Sequence, residues 1–186
     1  MAILFLGIAL FFGLHMIPYF GQALRTNLIG KIGALPYKGL FALASLCSFV
    51  VIVMGWQSVD VIQIYSPPVW GKHVTFLFVL IGIILFIASN APTNIRRILR
   101  HPQLIGVTIW GIGHLFANGE NRSVLLFGGF IIFSLVSIWA TNRRDGVWVK
   151  RDKVSPISDI ITVLIGIGVY GIFFTFHQNI IGVPVM

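Results

Sequence analysis

The chain has 186 residues, of which 57% are hydrophobic and only 10% charged, and its formal net charge is +8. A soluble domain cannot keep so apolar a composition wetted, so the solvent for most of this chain is lipid. The length suits one bundle of about six spans of about 20 residues with short loops, and excludes a separate soluble domain.

Apolar stretches fall near residues 2–23, 39–56, 74–90, 103–118, 123–141 and 157–178, separated by proline, asparagine or clusters of charge. The first carries His15 and Pro18, has no basic flank before it and no A-x-A-like cleavage site, and reads as a retained helix rather than a signal peptide. Pro18 leaves the carbonyl of Leu14 without its helical donor, which predicts a kink beside His15. The second contains the single cysteine, Cys47, which reads as a core residue with no disulfide or paired-thiol partner. The fourth is the shortest and holds Gly106, Gly111 and Gly113; a chain of five spans is the alternative. These glycines strip side chains from one face of that span, either for a flat cavity or for close helix packing. Asp159, at the start of the sixth span, reads as a helix N-terminal acid.

The basic residues test this scheme. Eleven of them (Arg25, Lys31, Lys38; Arg96, Arg97, Arg100; Arg143, Arg144, Lys150, Arg151, Lys153) fall in the odd-numbered loops, and two, Lys72 and Arg122, in the even ones. By the positive-inside rule the odd loops are cytoplasmic and both termini face outward. The same distribution argues against nucleic-acid binding, because the charge follows topology and not one soluble face. Tyr19, Phe20, Trp56, Trp70, Trp139 and Trp148 lie near predicted helix ends, as interfacial anchors do. The expected fold is an all-α polytopic helix bundle, a single domain over residues 1–186.

No acid, lysine or arginine lies at the centre of a predicted span, which argues against coupled ion or proton transport. Histidine remains. His15 lies near the middle of span one and His114 in the outer half of span four; an imidazole there needs a partner, either an interhelical hydrogen bond or a metal, haem iron above all. Counting about 1.5 Å per residue from the span centres puts the two about 9 Å apart along the membrane normal, a depth difference that opposite faces of one tilted macrocycle accommodate. His73 and His101, at span ends, are secondary candidates. Haem propionates need cations: Arg122 or Lys72 on the outer side, Arg25 or Arg100 on the inner. His177 is left out of this expected site. There is no HExxH, nucleophile elbow or phosphate loop.

The segments RHPQLIGVTIWGIGHLFANG (Arg100 to Gly119), FFGLHMIP (Phe11 to Pro18), YKGLFALASL (Tyr37 to Leu46) and PPVWGKH (Pro67 to His73) together resemble the NnrU family of bacterial membrane proteins. That resemblance implies a multi-pass protein of the bacterial inner membrane, linked to denitrification and nitric oxide physiology, with respiratory or denitrification membrane proteins as partners. The NnrU family is similar to the 15-cis-zeta-carotene isomerases, haem b enzymes in which a segment that begins with RHPQ and ends with CLAH supplies a histidine ligand. His114 takes that position and His15 that of its partner, which implies haem b as cofactor and nitric oxide or a lipophilic polyene as small-molecule partner. Gly111 stands where those enzymes carry a cysteine, which argues against a redox-driven ligand exchange and against carotene isomerisation. A haem-free scaffold or assembly factor is the third expectation. The RHP segment is also similar to isoprenylcysteine-type methyltransferases, but their downstream acidic and aromatic pattern is missing between Thr141 and Met186.

Overall fold

A computed structural model describes residues 1–182 as eight helices: α1 (Ala2–Phe20), α2 (Gln22–Ile32), α3 (Ala34–Gln57), α4 (Gly71–Ala88), α5 (Ile95–Ile98), α6 (Pro102–Ala117), α7 (Asn121–Asp145) and α8 (Pro156–Ile181). The chain divides into two compact units, one of residues 1–66 and 119–144, the other of residues 67–118 and 145–186. Five helices (α1, α3, α4, α7 and α8) are long and apolar enough to cross a membrane. The predicted fourth span is α6, an unbroken helix of 16 residues, or about 24 Å. Its glycines do not interrupt it. The first basic loop, in turn, is mostly helix α2.

Large apolar side chains are exposed, among them Leu35, Leu43, Leu46, Leu135 and Leu164, whereas Ser48, Thr75, Ser123, Ser134, Ser137 and Thr162 are buried. This inversion follows from lipid as solvent: leucine gains nothing by leaving lipid, and small residues let helix backbones approach. Cys47 is accordingly exposed and not in the core, a correction to the expectation from its apolar neighbours.

In the first unit α1 and α3 run antiparallel. A Cβ on Gly7 would stand 2.7 Å from the Ile52 amide nitrogen, and one on Gly55 would overlap the backbone of Leu4. Parallel to α1, α7 packs through Phe12, whose ring stacks on Phe133 at 4.7 Å, and at its C-terminal end Arg144 donates to the Pro18 carbonyl at 3.2 Å and lies over Tyr19. The segment after α3 is tied to the start of α7: Ile64 N–H donates to Gly119 O, Asn121 N–H to Ile62 O, and the Asn121 amide side chain to Asp60 O.

In the second unit α4 and α6 are antiparallel and meet at glycines. Gly82 and Gly106 face each other, Gly113 faces Phe78, and Gly71 faces the Phe116 carbonyl. Thr75 Oγ1 donates across this contact to Gly113 O at 2.7 Å. Helix α8 lies antiparallel to α4, with Gly166 against Ile84 and Phe174 edge-on to Phe76 at 5.4 Å. The chain leaves α3 and enters α7 at the same end of the first unit, and within the second unit α6 runs back along α4. Short as it is, α6 supplies the return.

Candidate functional site

His15 sits one turn before Pro18, inside the last turns of α1, which runs on to Phe20. Its Nδ1 lies 2.8 Å from the Phe11 carbonyl. A carbonyl only accepts, so Nδ1 carries the proton and Nε2 the lone pair. The four-residue spacing also lays the imidazole on the Phe11 ring, at 4.1 Å between centroids. Phe41 of α3 and Phe133 of α7 present edges to it at 5.3 and 6.3 Å. One turn before Phe41, Tyr37 stands 6.2 Å away, and its hydroxyl is buried without a hydrogen-bond partner. The hydroxyls of Ser134 and Ser137 on α7, in the same unit, are likewise buried and unpartnered. Three orphaned hydroxyls in one unit are unusual, since each costs about 1–3 kcal/mol.

His114 has the same local setting on α6. Its Nδ1 lies 2.9 Å from the Trp110 carbonyl, which again fixes Nε2 as the lone-pair nitrogen, and its ring is 4.8 Å from the indole. Asn118 holds this end of the helix by donating its backbone N–H and its side-chain amide to the His114 carbonyl. The neighbouring Gly113 and Gly111 are buried, the former against Phe78. His177 of α8 lies within electrostatic range of His114. The sequence leaves His177 out of the expected site; the packing of α8 on α4 brings it near.

The remaining candidates divide between the units. In the first, Arg122 is engaged structurally: its guanidinium lies 4.5 Å over the Trp56 ring, donates to the Trp56 carbonyl at 3.3 Å and is 3.9 Å from Glu120. Arg25 is exposed on α2. In the second, Lys72 and His73 are exposed in the first turn of α4, His73 with its ring 6.5 Å from Phe76. Arg100 donates to the Gly146 carbonyl at 2.9 Å, and His101 is the residue that precedes α6, its carbonyl accepting from Ile105. Among the described residues no group of three or more His, Cys, Asp or Glu is placed to hold a bare metal ion. Within its own unit each of the two imidazoles has Nδ1 tied to a carbonyl of its own helix, a bond that fixes the orientation of the ring.

Comparison with known proteins bears on this pattern. The family model described as NnrU protein matches residues 3–185. The 15-cis-zeta-carotene isomerase, chloroplastic, of Zea mays is 28% identical over 123 residues, which cover 57% of this chain and 34% of that protein. The chain thus spans about a third of the curated relative's length. No solved structure matches. The family model covers nearly all of a chain whose helices carry the residues described above, and the chain belongs to the NnrU family.

Proposed function

We propose that this chain is a haem b-binding, multi-pass protein of the bacterial inner membrane, with His15 and His114 as imidazole ligands to the iron. The carrying observation is the shared setting of the two rings, each with Nδ1 donating to the carbonyl four residues earlier. Such a bond orients a ligating histidine and raises the basicity of the other nitrogen. The unpartnered hydroxyls of Tyr37, Ser134 and Ser137 add support, as polar capacity in the His15 unit that the protein itself does not use. Bound haem supplies one-electron iron chemistry and, where a coordination position opens, affinity for nitric oxide. That chemistry accords with a role in denitrification beside respiratory membrane proteins.

The test is an optical spectrum of the purified protein before and after dithionite. Two imidazoles give a low-spin iron with sharp, split bands on reduction. His114→Ala abolishes or severely weakens haem retention, and His15→Ala leaves at most a five-coordinate species that binds carbon monoxide. Full haem content with unaltered spectra in both variants refutes the assignment. Because His177 lies near His114, a His177→Ala arm is needed: loss of the low-spin spectrum there, with His15→Ala unaffected, moves the second ligand to His177.

A second reading, isomerisation of a lipophilic polyene, is favoured by the similarity to the maize isomerase. Membranes holding the protein would then convert a cis-carotenoid under reducing conditions in a His114-dependent way. With Gly111 in place of a cysteine, no conversion is expected. A protein that purifies without haem and fails to take it up would instead be a scaffold.

A further inference from the structure

Away from the histidines, the basic loops of the second unit form a cavity of about 410 Å³, lined among others by Asn94, Arg97, Ile98, Lys150, Lys153 and Asp159. Its size is that of a small-ligand pocket. Three cations meet one carboxylate there, and that carboxylate is engaged elsewhere: Asp159 accepts from the Thr93 hydroxyl, from Asn94 N–H at 2.7 Å and from the Asn94 side-chain amide at 2.7 Å. Asn94 in turn exchanges hydrogen bonds with the backbone of Val154, its amide donating at 2.9 Å and its carbonyl oxygen accepting at 3.0 Å. This clamp holds the stretch before α8 against the stretch before α5, and so fixes the two segments that carry the cations.

Among the described residues, none of Arg97, Lys150 and Lys153 forms an ion pair, and Arg97 Nε is buried without a hydrogen-bond partner. Arg96 and Arg151 add a like-charge contact beside them: burial first, and then the Arg151 charge, hold the Arg96 guanidinium below its ordinary pKa. Three cations against one carboxylate leave an excess of positive charge, and so a field that an anion relieves. The N-terminus of α8, capped by the Ser155 side chain, adds its dipole in the same sense.

The rim is apolar. Ile98 is 75% exposed and Ile157, next along the chain from the cavity wall, 64% exposed. Lys150 lies over the Trp148 ring at 5.9 Å, a pairing suited to the headgroup layer. A free anion has no use for such a rim; an amphiphile uses both parts.

We propose that this cavity seats the phosphodiester headgroup of an anionic phospholipid, with Arg97, Lys150 and Lys153 as ligands to the phosphate and Ile98 and Ile157 against the acyl chains. The site is independent of the haem reading, which concerns other residues. The test is native mass spectrometry of the full chain in detergent, titrated with phosphatidylglycerol or phosphatidylcholine, for the wild type, Lys150→Gln/Lys153→Gln and the control Lys31→Gln/Lys38→Gln. Both cavity lysines are exposed, so the double variant leaves the packing intact. Phosphatidylglycerol is expected to bind in preference to phosphatidylcholine, and the cavity variant to weaken it about 30-fold, at about 1 kcal/mol per cation. The control is expected to bind as the wild type does. Equal binding of the two lipids, or wild-type affinity in the cavity variant, overturns the proposal. Displacement of the lipid by millimolar inorganic phosphate overturns its lipid part, leaving a site for free phosphate.

Discussion

The contact between α4 and α6 offers the sharpest test of how this fold is held together. A methyl group at position 106 would stand 2.7 Å from the Gly82 carbonyl oxygen and 3.1 Å from Leu85 Cβ, and one at position 82 would stand 2.9 Å from the Gly106 carbonyl oxygen. Both obstacles are backbone, so no rotamer change relieves them; the helices must separate by several tenths of an ångström. Overpacking of this kind costs about 1–3 kcal/mol. Exchange of glycine for alanine in a helix also brings a gain of up to about 1 kcal/mol from propensity, which masks part of the cost. Gly168, within α8, has nothing within 4 Å of its added Cβ, so Gly168→Ala carries the propensity gain alone. The difference between Gly106→Ala and Gly168→Ala thus isolates the clash, at about 2 kcal/mol. Thermal unfolding in one detergent, followed by size-exclusion recovery of monodisperse protein, measures it: Gly168→Ala is expected at or above the wild type and Gly106→Ala well below. Equal or reversed midpoints would refute the assignment of Gly82 and Gly106 to a backbone contact.

Asp159→Ala removes the acceptor for Thr93 and both Asn94 donors. Amide exchange between residues 93 and 98 is expected to accelerate, and unchanged exchange there would mean that the clamp does not hold the loop. Cys47, exposed on a helix that is apolar on all sides, is expected to react with a membrane-permeant apolar maleimide in vesicles and to resist a charged one. Fast labelling by the charged reagent would place it in water. Reporter fusions are expected to find the loops of Arg25, Arg97 and Arg144 in the cytoplasm and both termini outside. A cytoplasmic C-terminus would count against six traversals.

Local sequence was enough for the apolar helices because hydropathy is a local property when lipid is the solvent: each predicted stretch contains most of one of α1, α3, α4, α6, α7 and α8, whereas α2 and α5 lie in segments read as loops. The side-chain-to-carbonyl bonds of His15 and His114 are equally local, both made four residues back within the same helix. Partners were another matter. Apolar periodicity does not say which helix faces which, since leucine is as content in lipid as in the bundle, and the specificity lies in glycines, threonines and single carbonyls. That Gly106 meets Gly82, that Thr75 reaches Gly113, that Cys47 points outward and that His177 comes near His114 were decided by tertiary packing. The anionic seat belongs to the same class. Arg97 and Lys153 are 56 positions apart in the sequence and were read there only as topology signals; the Asn94–Asp159 clamp is what brings their charges to one cavity.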